Sequence, residues 1–102
     1  MASRLELHNE LKSLLGSNNV YFQPPESLKI KYPAIIYKKV AGDTKYADNS
    51  PYFFMNSYRV TAIDLDPDAN WGDLIRSNFR YVRTEGSFTT ENLNHWNFLI
   101  YF

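Results

Sequence analysis

The stretch from Tyr58 to Phe79 constrains the fold more than any other part of this chain. Tyr58, Val60 and Ala62 alternate with Arg59 and Thr61, the period-two pattern of a half-buried strand, which continues to Asp64. The turn Leu65-Asp66-Pro67-Asp68 follows, and a helix is predicted from about Ala69 to Phe79. Asp66 and Asp68 are candidate N-caps, and Pro67 suits a first helical turn, where its missing N–H has no intrahelical partner to lose. Trp71, Leu74, Ile75 and Phe79 recur at helical spacing, so the helix has one apolar face to lay on a sheet. A strand feeding directly into a covering helix forms the centre of a small α+β fold.

Before it, the periodicity predicts a helix from about Ser3 to Leu15, opened by a Ser3–Glu6 capping box. Its apolar stripe is Leu7, Leu11, Leu14 and Leu15, and Gly16 with Ser17-Asn18-Asn19 stops it. His8 flanks that stripe as a surface or boundary residue. Val20-Tyr21-Phe22 is a short strand ended by Gln23-Pro24-Pro25. Prolines cannot donate to a ladder, so this segment is an edge or a loop held extended. Ala34 to Val40 is a clear strand, and the Lys38-Lys39 pair brings one end of it to solvent. Residues 41–51 have turn chemistry at Gly42-Asp43 and Asp48-Asn49-Ser50, so a loop is predicted there. The aromatic run Tyr52-Phe53-Phe54 follows it.

After the second helix, Arg80–Thr84 and Ser87–Thr90 read as extended, with a bulge or a turn at Glu85-Gly86. Residues 91–95 read as a polar turn, and Trp96–Phe102 as a last strand that pairs back as an antiparallel hairpin and holds this end of the chain in the sheet. The expectation is one α+β domain over residues 1–102, with a mixed, mainly antiparallel sheet of five to six strands and two flanking helices.

Composition narrows the function classes. Eleven basic and 11 acidic residues balance, so nothing draws the chain as a whole to nucleic acid, whose binding rests on many Lys/Arg–phosphate contacts. With no cysteine there is no disulfide framework or thiolate chemistry. The polar first residues do not resemble a signal peptide, and no apolar run approaches the ~20 residues of a membrane span; a cytosolic setting without membrane insertion is expected. Eight Tyr, 7 Phe and 2 Trp are many for this length, and they suit both strands and interaction surfaces.

Few groupings suggest chemistry. Asp64, Asp66 and Asp68, with Asp73 beyond, form the one carboxylate cluster. Alternating aspartates suit Mg²⁺ or Ca²⁺, but the glycine and closing glutamate of a calcium loop are absent and Pro67 interrupts it. Helix capping is the competing reading. His95 and Trp96 with Asn92 and Asn94 form a second polar group, yet no serine or cysteine stands in a nucleophile's context. The four glycines are too scattered for a phosphate loop. No enzymatic activity and no cofactor are expected. Lys29, Lys31, Lys38, Lys39 and Lys45 make one segment basic while Asp64–Asp73 is acidic. In a monomer these are solvated surfaces; in a homo-oligomer they face each other across a heterologous, ring-closing contact.

Several stretches resemble a family of small morphogenesis proteins of long-tailed phages and prophages of Gram-positive bacteria: the tail terminator, or tail-completion, proteins of the head–tail joining region. They are Val20-Tyr21-Phe22-Gln23-Pro24-Pro25-Glu26-Ser27, Lys31-Tyr32-Pro33-Ala34-Ile35, residues Tyr58 to Asp68, and Asn92-Leu93-Asn94-His95; residues 73–83 match less well. The resemblance implies a virion protein assembled in the host cytoplasm. It implies a hexameric ring that caps the tail tube protein and docks to the head–tail connector protein, with no nucleic-acid sequence recognition. It supplies no catalytic residues. The expected partner contacts lie on Lys38, Lys39, Asp43, Lys45, Tyr46, Asp48, Tyr52, Phe53 and Phe54, since binding residues concentrate on loops carried by a rigid sheet. The alternative is a small metal-binding domain or metal-dependent enzyme using Asp64, Asp66 and Asp68.

Overall fold

The structure, a computed structural model, describes residues 4–40 and 56–102. The elements run α1 (Arg4–Leu15), β1 (Val20–Phe22), β2 (Ala34–Val40), β3 (Ser57–Asp64), α2 (Trp71–Asn78), β4 (Tyr81–Thr90) and β5 (Leu93–Tyr101). The strands form one five-stranded sheet in the order β1-β2-β3-β5-β4. Only β1 and β2 run parallel; the other three pairings are antiparallel. The expected mixed, mainly antiparallel α+β fold is the fold observed.

β3 occupies the middle of the sheet, and its alternation decides which face becomes the core. Tyr58, Val60 and Ala62 are buried on one face together with Ile35 and Tyr37 of β2 and Phe98 and Ile100 of β5. Leu7 and Leu11 of α1, and Trp71 and Ile75 of α2 with Phe79, pack on the same cluster. Both helices therefore cover one face, and burying these side chains supplies roughly 1.5–3 kcal/mol for each large aliphatic or aromatic group. Leu14, Leu15 and Leu74 lie partly buried at its margin, as their helical spacing predicts.

Local chemistry sets the ends of the elements. Gly16, at φ 77°, closes α1 by donating its N–H to Lys12 O at 2.8 Å, a left-handed position that glycine takes without strain. Ser3, the predicted cap of that helix, lies outside the described residues. β1 stops at Gln23, whose φ is 45°. Gln23 N–H still donates to Tyr37 O at 2.9 Å, and its side-chain Oε1 accepts from Lys39 N–H at 3.3 Å. The glutamine thus adds two bonds to β2 beyond Phe22, the second through its side chain, before Pro24 turns the chain away.

Two expectations need correction. Asp66 and Asp68 do not cap α2: that helix begins at Trp71, its N-cap is Asn70, and no side-chain bond caps it. The aspartates instead build consecutive Asx turns. Asp64 Oδ1 accepts from Asp66 N–H at 3.0 Å, and Asp66 Oδ1 from Asp68 N–H at 2.9 Å, a competition intrinsic to aspartate. The polar turn at 91–95 is also tighter than predicted. Only Glu91 and Asn92 form it, with φ 52° and 64°, as a two-residue hairpin loop of the I′ kind requires. Leu93, Asn94 and His95 already belong to β5. The bulge falls where expected: the β4–β5 register shifts between Thr84 and Ser87, with Gly86 at φ 98°.

Candidate functional site

No described helix covers the second face of the sheet. Strand register arranges its side chains in rows. Ala34, Ile63, His95 and Phe88 form one row, Ile36, Thr61 and Asn97 the next, and Lys38, Arg59, Leu99 and Arg83 a third. Tyr21 of β1 stands beside Ile36. The face therefore grades from an apolar row, where His95 stacks on Phe88 at 4.4 Å, through the bond from Thr61 Oγ1 to Asn97 Oδ1 at 2.8 Å, to a cationic row.

The cationic row is partly neutralised at one end only. Glu85, at the bulge, accepts from Arg59 Nε at 3.1 Å and from Arg83 Nη2 at 3.3 Å. The two arginines are substantially exposed, so the trio orders side chains more than it stabilises the fold. Lys38 lies directly across from Arg59 in the ladder, a like-charge pairing that is unfavourable in itself. Lys38 and Lys39 are exposed, and neither ammonium has an ion-pair partner among the described residues.

Beside these lysines lies an open groove of about 620 Å³, lined by Gln23 and Pro24 on one side and by Ile36, Lys38, Arg59 and Thr61 on the sheet. Its position follows from the fold: β1 ends at Phe22, so β2 loses its neighbour beyond Tyr37 and Pro24 leaves a gap against the sheet face. Lys38 thus projects along this concave surface, while Lys39, opposite Tyr58, borders the groove from the other face of the sheet. Asp43, Lys45, Tyr46, Asp48, Tyr52, Phe53 and Phe54 lie outside the described residues. Arg59, Ile36, Thr61, Gln23 and Pro24 carry no local sequence signal for this site; only the strand order assembles them.

The aspartates stand at the other end of the sheet. Asp64 closes β3 five residues beyond Arg59, ~17 Å along the strand at about 3.4 Å per residue. Its carboxylate is engaged twice: Oδ1 by Asp66 N–H, and Oδ2 by Trp71 Nε1–H at 3.1 Å. Asn94 Nδ2 donates to the carbonyls of Asp64 and Leu65 at 3.2 and 3.4 Å. Among the described residues, no three His, Cys, Asp or Glu side chains gather where they could hold a metal ion. Asp73 turns instead to Arg76, at 2.8 Å. What this end presents is a fixed turn with Leu65 61% exposed at its crest and exposed Asp66, Pro67 and Asp68 beside it.

His8 sits at the boundary, as its flanking position predicts, but with a specific partner. Its Nδ1 lies 2.7 Å from the hydroxyl of buried Tyr37, whose oxygen also accepts from Arg4 Nη1 at 3.1 Å. Burial first, then the charges of Arg4 and Lys12, lowers the His8 pKa below its ordinary 6.5. This chain of bonds lies under α1, away from the groove face, and docks the helix.

In comparisons with known proteins, no family model, curated protein or solved structure matches this chain significantly.

Proposed function

We propose that this chain is a non-enzymatic, ring-forming subunit of a long-tailed phage that caps the finished tail tube and joins it to the head connector. In that role the ring covers the surface on which the next tube subunit stacks, so elongation ends, and its far side offers a docking surface to the connector. The protein then resides in the virion neck after assembly in the host cytoplasm.

The observation that carries this reading is the separation of two exposed charge pairs at opposite ends of one sheet. Lys38 and Lys39 lie at one end of β2–β3, and Asp66 and Asp68 beyond the other. Within one subunit the two groups are too far apart to satisfy each other. Repeated head to tail, they meet at every junction, and such heterologous contacts close into a ring when the rotation permits. The resemblance of residues 20–27, 31–35, 58–68 and 92–95 to tail terminators gives that ring its biological setting.

The test is a tube-elongation assay using the tube protein encoded beside this gene. A very long, helix-rich frame with coiled-coil periodicity (the tape-measure candidate) shortly downstream marks the module. Adding this protein is expected to arrest elongation and give capped tubes; tubes that grow to the same length with and without it would refute the proposal.

A further inference from the structure

The groove and the aspartate turn match each other in more than charge. The groove has an apolar floor at Ile36 and Pro24 with Lys38 and Arg59 at its rim. The turn has one exposed apolar side chain, Leu65, with Asp66 and Asp68 flanking it. We infer that the Leu65–Asp68 turn of one copy of this chain inserts into the Gln23/Pro24/Ile36 groove of the next copy. Leu65 lies on Ile36 and Pro24, and Asp66 and Asp68 approach Lys38 and Arg59. This inference rests on the ring-forming reading above and names the contact that builds the ring.

Three features favour a second copy over another occupant. The turn is already fixed in shape by the Asp64, Asp66, Trp71 and Asn94 bonds, so little freedom is lost when it docks. Lys38 and Arg59 oppose each other in the ladder with one carboxylate, Glu85, between Arg59 and Arg83; an incoming pair of carboxylates relieves that repulsion. A phosphate backbone would match the cations but leave the apolar floor empty, and the chain as a whole has no net charge to attract it. The contact is heterologous, because groove and turn occupy different ends of the subunit, so every copy gives its turn to one neighbour and receives one from the other.

Two charge-reversed variants of the full chain test this by sedimentation from micromolar to millimolar concentration at low and high salt. Lys38→Glu/Arg59→Glu makes the groove acidic like the turn, and Asp66→Lys/Asp68→Lys makes the turn basic like the groove. Wild type is expected to associate more strongly at low salt. Each variant alone is expected to associate on the order of tenfold or more weakly, since like charges then meet at every junction. Mixed in equal amounts, the two are expected to recover association, because each variant's groove is then complementary to the other's turn. Leu65→Ser, which leaves charge untouched, is expected to weaken association at both salt concentrations. Far-UV circular dichroism confirms that each variant is folded.

If wild type associates and the variants do so equally well, this contact is overturned while the ring reading stands. If wild type stays monomeric at every concentration and the mixture does too, the contact is likewise overturned. The tube-elongation assay then decides the ring reading separately.

Discussion

The Tyr37 hydroxyl and Nδ1 of His8 lie 2.7 Å apart, joining the middle of β2 to the first turns of α1. Arg4 already donates to the Tyr37 oxygen and stacks over Phe22 at 4.2 Å, so the hydroxyl proton is directed at His8. Nδ1 accepts it when the ring is neutral with its proton on Nε2, and burial and the Arg4 and Lys12 charges favour the neutral ring.

Stability is therefore expected to depend on pH through His8. Its folded pKa lies below the unfolded 6.5, so the unfolded chain binds the proton more readily. The contribution is complete above about 6.5 and is lost as pH falls from there through the lowered folded value. Urea titrations across this range check it, and His8→Gln is expected to flatten the profile. Tyr37→Phe is expected to cost about 1 kcal/mol by leaving His8 without its donor.

At the alkaline end the sign reverses. Burial raises the pKa of both Tyr37 and Tyr58 above 10.0, so the folded state holds these phenolic protons longer than the unfolded chain. Their contribution is full below 10 and declines as pH rises through the raised values. Thermal melts in this range are expected to show a steeper loss for wild type than for Tyr58→Phe.

The aspartates of the β3–α2 turn are expected to differ in importance. Asp64→Ala removes the acceptor for both Trp71 Nε1–H and Asp66 N–H and is expected to cost about 1–3 kcal/mol. Asp66→Ala removes one exposed Asx-turn bond and is expected to cost less, about 0.5–1 kcal/mol. The Asp68 carboxylate accepts no hydrogen bond among the described residues, so Asp68→Ala is expected to be nearly neutral. Had both been N-caps, each substitution would cost about 1 kcal/mol. Adding Mg²⁺ or Ca²⁺ is expected to leave the melting temperature unchanged; a metal-dependent rise abolished by Asp64→Asn would restore the metal reading.

The two-residue turn at Glu91-Asn92 allows improvement. Both residues hold positive φ, and Asn-Gly suits such a turn better than Glu-Asn. Glu91→Asn with Asn92→Gly is expected to raise stability by about 1 kcal/mol, read as a shift in the urea midpoint. Gly86→Ala, at φ 98° in the bulge, is expected to cost about 1 kcal/mol although a Cβ there would meet no atom within 4 Å.

Much of this fold was legible because its signals are local. Alternation at Tyr58–Ala62 and the spacing of Trp71, Leu74, Ile75 and Phe79 identify β3 and α2 without their neighbours. Gly16, Pro24 and Gly86 mark where the chain stops or bends. The errors arise where one residue type serves two local purposes. Asp66 can cap a helix or bond an amide two residues on, and the Asx turn prevailed; Asp68 does neither. Asn94 and His95 suit a turn, yet Asn94 accepts from Thr89 Oγ1 at 2.9 Å and His95 stacks on Phe88, which holds both in a strand. The groove was half legible. Lys38 and Lys39 were candidates by their charge, but Arg59, Ile36 and Pro24 join them only through the β1-β2-β3 order, which no single segment encodes.

The central claim, a ring built by head-to-tail contacts, is tested most directly by electron microscopy of tube ends assembled with this protein and averaged down the tube axis. A closed cap with six-fold symmetry is expected at one end of each tube. Bare tube ends, or a two-fold or irregular assembly in place of the ring, would contradict it.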